Sequence, residues 1–321
     1  MEAPRKLQKG DELRIIAPSR SLKILSSDGI QTAKKRLENL GLYVTFGKNV
    51  HVSDLHDSSS IEQRVDDLHE AFADKNVKGM LTTIGGFNSN ELLPYLNFEL
   101  IKANPKILCG FSDITALTNA ITAKSNLITY SGPHFSSFQM DGLQEYQTTF
   151  FKHCLMDVAP FKLQPSTEWS DDLWYVDQEN RNYEETKWKV YSHGSATGTL
   201  FGGNLCTLNL LQGTEYMPNF ENSILFIEDD ELTSPEMFAR DLTSLLQVSK
   251  NIKALLIGRF QNSSNVTEEQ LHFILDKHPQ LRNIPVIYDM DFGHTQPIMT
   301  LPIGGEISVD TGDFRLEIIE F

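Results

Sequence analysis

Along the first half of the chain two periods alternate, and this narrows the possible folds more than any other feature. LRIIAPS (Leu13 to Ser19) reads as a buried strand running into a turn, and Ile30, Ala33, Leu37 and Leu40 then recur at helical spacing until Gly41 closes the run. LYVTFG repeats the strand pattern and Ile61, Val65, Leu68 and Phe72 the helical one. GMLTTI (Gly79 to Ile84) is a strand stopped by Gly85-Gly86, and a later unit ends in the strand LITYSG. Strands alternating with helices of this length predict a parallel sheet covered on both faces. Ligands of such sheets bind beyond the carboxyl ends of the strands, so the residues at strand ends carry the functional information.

One strand end is unusual. In PKILCGFSDITALTNAI (Pro105 to Ile121) the apolar run Ile107-Leu108-Cys109 is interrupted by Gly110-Phe111-Ser112-Asp113, after which Ile114, Leu117 and Ile121 recur at helical spacing. A serine on such a corner can hold its hydroxyl above the sheet edge. The next backbone N–H, at the positive end of a helix, points into the same space. Gly110 relieves the crowding of so tight a turn. The plainer account of Ser112 is a helix N-cap, which the position also favours.

Between about Phe161 and Ser195 the alternation stops. This stretch holds all three tryptophans, Trp169, Trp174 and Trp188, in a polar, acidic background. A disordered linker would be poor in aromatics, so an ordered connector is predicted. Beyond it, GTLFGGNLCTLNLLQGTEY reads as strand, Gly-Gly corner and short helix, and SILFIEDDE as a strand running into acids. Ser234-Pro235 and Thr267 to Gln270 mark helix starts, the latter as a capping box. IPVIYDMDFGH is the last long strand, and MTLPIGGEISVDTGDFRLEIIEF reads as a β-hairpin tail. The expected organisation is an α/β domain over residues 1–165, a connector over 166–195 and a second α/β domain over 196–321.

Composition excludes several function classes. The 321 residues carry 28 Lys and Arg against 43 Asp and Glu, a formal charge of −15. That argues against a nucleic-acid backbone or an anionic membrane as the main partner. No apolar stretch approaches the roughly 20 residues of a membrane span, and the first residues lack the apolar core of a signal peptide. Three cysteines, Cys109, Cys154 and Cys206, form no CxxC pair, and the nine histidines do not cluster at ligand spacing. His51 and His56, beside Asp54 and Asp57, come nearest and read as a solvated loop. A cytoplasmic, metal-free protein is expected.

Two further strand ends change the standing of Ser112. Glu228 closes the apolar run Ile224 to Ile227, and His294 follows Asp291-Phe292-Gly293. A serine nucleophile needs a general base, and the base needs an acceptor on its other nitrogen. Taken singly, Glu228 reads as a solvated acid and His294 as a loop histidine. Together with Ser112 they fit the three roles. Gly85-Gly86, with Asn88 and Asn90 beside them, lie one strand before Ser112 and suit a second backbone donor. They form neither G-x-G-x-x-G nor a Walker loop, so dinucleotide binding is weakly supported. An α/β-hydrolase would share the order Ser, acid, His, but its elbow is G-x-S-x-G and here Ile114 stands where the last glycine belongs. A non-enzymatic two-domain ligand-binding protein has no use for these three residues.

GFSD, IGGFNSN, GGNLCTLNLLQGTEY, LFIED and FGHTQPIMTLPIGG together resemble the LD-carboxypeptidase family of serine peptidases, over nearly the whole chain from Ile15 to Ile303. Their fuller forms resemble its microcin C self-immunity (MccF-type) branch. The resemblance implies a flavodoxin-like parallel-sheet N-terminal domain and a smaller β-rich α/β C-terminal domain. It implies Ser112 as nucleophile, His294 as general base and Glu228 as its orienting partner, with an oxyanion hole from the backbone N–H groups of Gly86 and Asp113. It further implies a homodimer, no cofactor, and a substrate that is a peptidyl- or aminoacyl-nucleotide, or alternatively a murein tetrapeptide. Asn88 is expected to touch substrate. Trp188 is expected to stack on a nucleobase with Trp174 as the fallback, although on composition alone a tryptophan here pins the connector to the domain.

Overall fold

Two long helices of the first half begin where the sequence supplies an acceptor. Ser26 accepts from the Gly29 N–H to start Ser27–Asn39, and Ser60 and Gln63 form a reciprocal capping box for Ile61–Ala73. Each buries one apolar stripe, Ala33 and Leu37 in the first, and Val65, Leu68, Ala71 and Phe72 in the second. The computed structural model describes Met1–Phe321 and arranges them around two large sheets that share one continuous apolar core.

The first sheet has the spatial order Tyr43–Phe46, Glu12–Ile16, Val77–Thr82, Ile107–Cys109, Thr129–Ser131, with these five strands parallel. This order, 2-1-3-4-5 in sequence terms, is the flavodoxin-like one. A sixth strand, Leu301–Ile303, pairs antiparallel with Thr129–Ser131 at the edge. The expected C-terminal hairpin is therefore shorter than the sequence suggests. Leu301–Ile303 returns to the first sheet and covers an edge that would otherwise be unpaired. Only Glu306–Asp310 and Arg315–Glu320 form the hairpin.

The second sheet runs Phe161–Leu163, Arg315–Glu320, Glu306–Asp310, Ser195–Asn204, Ile224–Glu228, Ala254–Gly258, Val286–Met290, Lys189–Ser192. Its pivot is Ser195–Asn204. Residues 195–199 pair antiparallel with the hairpin and 200–204 parallel with Ile224–Glu228. With eight strands this sheet is the wider of the two. Two segments cross the expected boundaries, Phe161–Leu163 into the second sheet and Leu301–Ile303 into the first. The connector is ordered as expected, with Glu168–Trp169 pairing Glu184–Glu185 and Lys189–Ser192 serving as an edge strand.

Of the two helix starts read in the second half, Ser234-Pro235 is as expected, with the serine accepting from Met237 N–H. The capping box at Thr267 is half formed. Thr267 accepts from Gln270 N–H, but its own N–H is already given to Asn265 O at 2.9 Å, leaving Gln270 nothing to return. No helix is long and apolar enough to cross a membrane.

Candidate active site

The carboxyl ends of the parallel strands of both sheets open into one cleft of about 450 Å³, a size usual for small-ligand sites. On the first sheet, the chain leaves Ile107–Cys109 and turns into the helix Ile114–Ser125 within four residues. Ser112 holds the turn at φ +59°, a region a residue with a Cβ occupies at a cost and that marks a strained elbow. It is not the N-cap of the plainer account, because Asp113 occupies that position without capping through its side chain.

Glu228 ends its strand 3% exposed, and the loop after Val286–Met290 carries His294 over it. The approach needs Gly293: its φ is +102°, and a Cβ there would lie 2.7 Å from Glu228 Oε2. The result is one hydrogen-bonded chain. His294 Nδ1 donates to Glu228 Oε2 at 2.7 Å, since an ionised carboxylate only accepts. In the neutral ring Nε2 is then a bare acceptor, and Ser112 Oγ–H donates to it at 3.0 Å. Three residues from three strand ends, predicted separately, meet here.

The electrostatics favour proton capture by this imidazole. Burial works against its protonated form, but the Glu228 carboxylate, with Asp230 and Asp229 behind it, outweighs burial and lifts His294 to about 8. Asp229, the residue after Glu228 at the strand end, is pushed up to about 7, first by burial and then by the Glu228 charge. A second histidine, His134, lies at the end of Thr129–Ser131 and lines the same cleft. Burial, followed by the neighbouring His294, holds it down to about 3, so it stays neutral. The Phe111 ring stacks on His134 at 4.4 Å and meets His294 edge-on at 5.3 Å, fixing both rings.

The backbone N–H groups of Gly86 and Asp113 donate to no protein atom. Their loops are tied together by the Asp113 carboxylate, 2% exposed, whose Oδ2 accepts from Ser19 Oγ at 2.6 Å, Ser89 N–H at 2.9 Å and Asn88 N–H at 3.0 Å. Gly85 packs so close to the elbow that an added Cβ would lie 3.0 Å from Ser112 Oγ. Two free N–H donors on one braced unit beside a hydroxyl can receive a developing oxyanion.

Two expected site residues lie elsewhere. Asn88 does not line the cleft. Its N–H goes to Asp113 and its carbonyl accepts from Arg64 Nη1 at 2.9 Å, so the residue braces the Gly86 loop. Trp188 is 7% exposed, and its Nε1–H donates to Asp291 Oδ2 at 2.9 Å. Asp291 also takes Arg259 Nη2, Ser166 N–H and Ser166 Oγ, so Trp188 pins the connector beneath the His294 loop. The fallback, Trp174, does line the cleft with Tyr175. Sequence reasoning missed His134, whose signal was its place just after the strand LITYSG. It also missed the bracing side chain of Asp113, which has no sequence signal.

Known proteins share this architecture. The family model of the LD-carboxypeptidase N-terminal domain matches residues 13–132 and that of the C-terminal domain residues 197–309. A Bacillus subtilis (strain 168) protein provisionally named a carboxypeptidase, YocD, is 52% identical over 95% of each chain. The crystal structure of an MccF-like protein from Bacillus anthracis (strain Ames) superimposes with a TM-score of 0.98 at 48% identity, covering all of both chains. The structure of MccF in complex with glutamyl sulfamoyl guanosine does so with a TM-score of 0.90 at 28% identity, covering 99% of this chain and 98% of that one.

Proposed function

The chain belongs to the LD-carboxypeptidase family of serine peptidases, and on that footing we propose that it hydrolyses the amide of peptidyl- or aminoacyl-nucleotides with Ser112, His294 and Glu228 as its catalytic triad. The observation that carries the catalytic part is the continuous hydrogen bonding from Ser112 Oγ through His294 to Glu228. Ser112 Oγ attacks the amide carbonyl while its proton passes to His294 Nε2, and Glu228 stabilises the imidazolium. The carbonyl oxygen takes the negative charge against the N–H groups of Gly86 and Asp113. Collapse breaks the C–N bond, the departing nitrogen takes the proton from His294, and an acyl-Ser112 ester remains. Water, deprotonated by His294, then releases the acid and restores the serine hydroxyl.

The nucleotide part rests on Trp174 and Tyr175 along the cleft, which suit base stacking, and on the likeness to MccF, solved with a glutamyl sulfamoyl nucleoside. A murein LD-tetrapeptide is favoured by a different observation. Asp171, Asp172, Asp230 and Glu231 line the cleft and suit an ammonium group, as on a diamino-acid side chain. Incubating the protein separately with an aspartyl-adenylate bearing a hydrolysable amide and with an LD-tetrapeptide, followed by mass spectrometry, decides between them. Cleavage of the peptide alone removes the nucleotide reading. On the same resemblance we read the protein as a cytoplasmic homodimer, the oligomer being testable by sedimentation equilibrium.

A further inference from the structure

Ten arginines occur in this chain, and nine of them make a side-chain hydrogen bond or ion pair with a protein group. Arg20 is the exception, and it is also the one arginine or lysine that lines the cleft. We propose that Arg20 reads the negative charge of the substrate, binding an oxyanion group next to the scissile amide. That group is the C-terminal carboxylate of a peptide or the phosphoryl oxygen of an aminoacyl-nucleotide. The proposal rests on the catalytic reading above, because it takes the Ser112 cleft as the substrate site.

The position is built. The backbone of Arg20 is fastened to the loop that carries Gly86: its N–H donates to Gly85 O at 3.4 Å, and its carbonyl accepts from Thr83 Oγ1 at 2.7 Å. Its stem lies against Gly86 closely enough that a Cβ there would sit 3.1 Å from Arg20 Cγ. The guanidinium centre stands 5.5 Å from the Phe87 ring centroid, a cation–π contact that holds the group without using its hydrogen-bond donors. All the donors of a planar fork suited to carboxylate or phosphate are thus left over, above the ring of Phe87, whose neighbour Gly86 has a free backbone N–H. The carboxylates of Asp171, Asp172, Asp230 and Glu231 elsewhere in the cleft repel an anion. Charge alone then orients the substrate, anionic end toward Arg20.

The test uses an LD-tetrapeptide, its C-terminal carboxamide, and aspartyl sulfamoyl adenosine, whose acyl sulfamate stands in for an acyl phosphate. Steady-state kinetics on the wild type, Arg20→Gln and Arg20→Lys give the KM and kcat of both peptides. Calorimetry on the same proteins in a Ser112→Ala background gives affinities without any turnover. Arg20→Gln should weaken the ligand that carries the recognised anion by about 10- to 150-fold, the range expected for a hydrogen bond to a charged group, with the loss in KM and Kd rather than in kcat. Arg20→Lys should recover part of it. If a carboxylate is the ligand, amidation should cost the wild type as much as the substitution does and cost Arg20→Gln almost nothing more. Weakening of the tetrapeptide alone assigns the carboxylate, and of the nucleoside alone the phosphoryl-type oxygen. Equal affinities in wild type and Arg20→Gln for both ligands overturn the proposal. If the wild type cleaves neither peptide nor adenylate, the catalytic reading fails, and the calorimetric comparison still judges Arg20.

Discussion

On the first-sheet side of the cleft, the groups we assign to bond making are backbone or are clamped by backbone: Ser112 on its elbow, the free N–H groups of Gly86 and Asp113, and a loop hung on the buried Asp113 carboxylate. Elsewhere in the cleft, the connector and the loop after Glu228 present side chains from irregular chain: Asp171, Asp172, Trp174, Tyr175, Asp230 and Glu231. The contrast follows the tolerance of each task. Bond making loses orders of magnitude over an ångström of misplacement, so its parts sit where strands and a helix dipole fix them. Recognition tolerates adjustment, and its parts can sit on loops that vary without disturbing the sheet.

Substitutions of the proposed bond-making groups should therefore act on kcat, and those of Arg20 and of the connector residues that line the cleft on KM. Ser112→Ala should show the largest effect, a loss of about 10⁴-fold or more in kcat with an unchanged circular dichroism spectrum. Near-wild-type turnover would show that the elbow serine is not the nucleophile. Glu228→Gln should lower kcat by about 10² to 10⁴-fold through loss of the orienting carboxylate. It should also move the pH profile. His294 must be neutral to accept the proton, so kcat/KM of the wild type should fall as pH drops below about 8. The substitution removes the charge that raises His294, so the acid limb should shift to lower pH. An unshifted limb would detach Glu228 from the histidine.

The two connector tryptophans sharpen the contrast within one segment. Trp174→Ala should weaken an aspartyl-adenylate about 5- to 150-fold, the usual worth of base stacking, and leave an LD-peptide nearly unaffected. Equal effects on both substrates would remove the stacking role. Trp188→Ala should leave KM within a few-fold but cost about 3–5 kcal/mol of stability in urea unfolding, since it removes a buried indole and one donor of Asp291. A KM effect without a stability loss would return Trp188 to the cleft.

What the sequence revealed divides along the same line. Ser112, Glu228 and His294 were legible because each sits where a periodic pattern ends, and pattern ends are local information. The parallel sheet was legible for the same reason. Trp188 misled because its neighbours in sequence, Lys187 and Lys189, suggest an exposed loop, whereas its burial depends on Asp291, distant in the chain. Asn88 misled in the same way, its bonds being to Asp113 and Arg64. Leu301–Ile303 has the same apolar pattern as a hairpin arm, and only the open edge at Thr129–Ser131 directs it to the first sheet. Arg20 carried no sequence signal, because its distinction is the partner it lacks.

That returning strand also bears on when the cleft is completed as the chain is made. The ribosome finishes the elbow of Ser112 early, yet the sheet beneath it keeps an open edge until Leu301–Ile303 emerges, only seven positions beyond His294. His294 and the strand that closes the sheet of Ser112 therefore emerge almost together. A chain cut short of His294 has Ser112 but neither its hydrogen-bond partner nor a finished sheet. The order of residues along the polypeptide thus completes the Ser112–His294–Glu228 cluster only as the sheet that carries Ser112 gains its last strand.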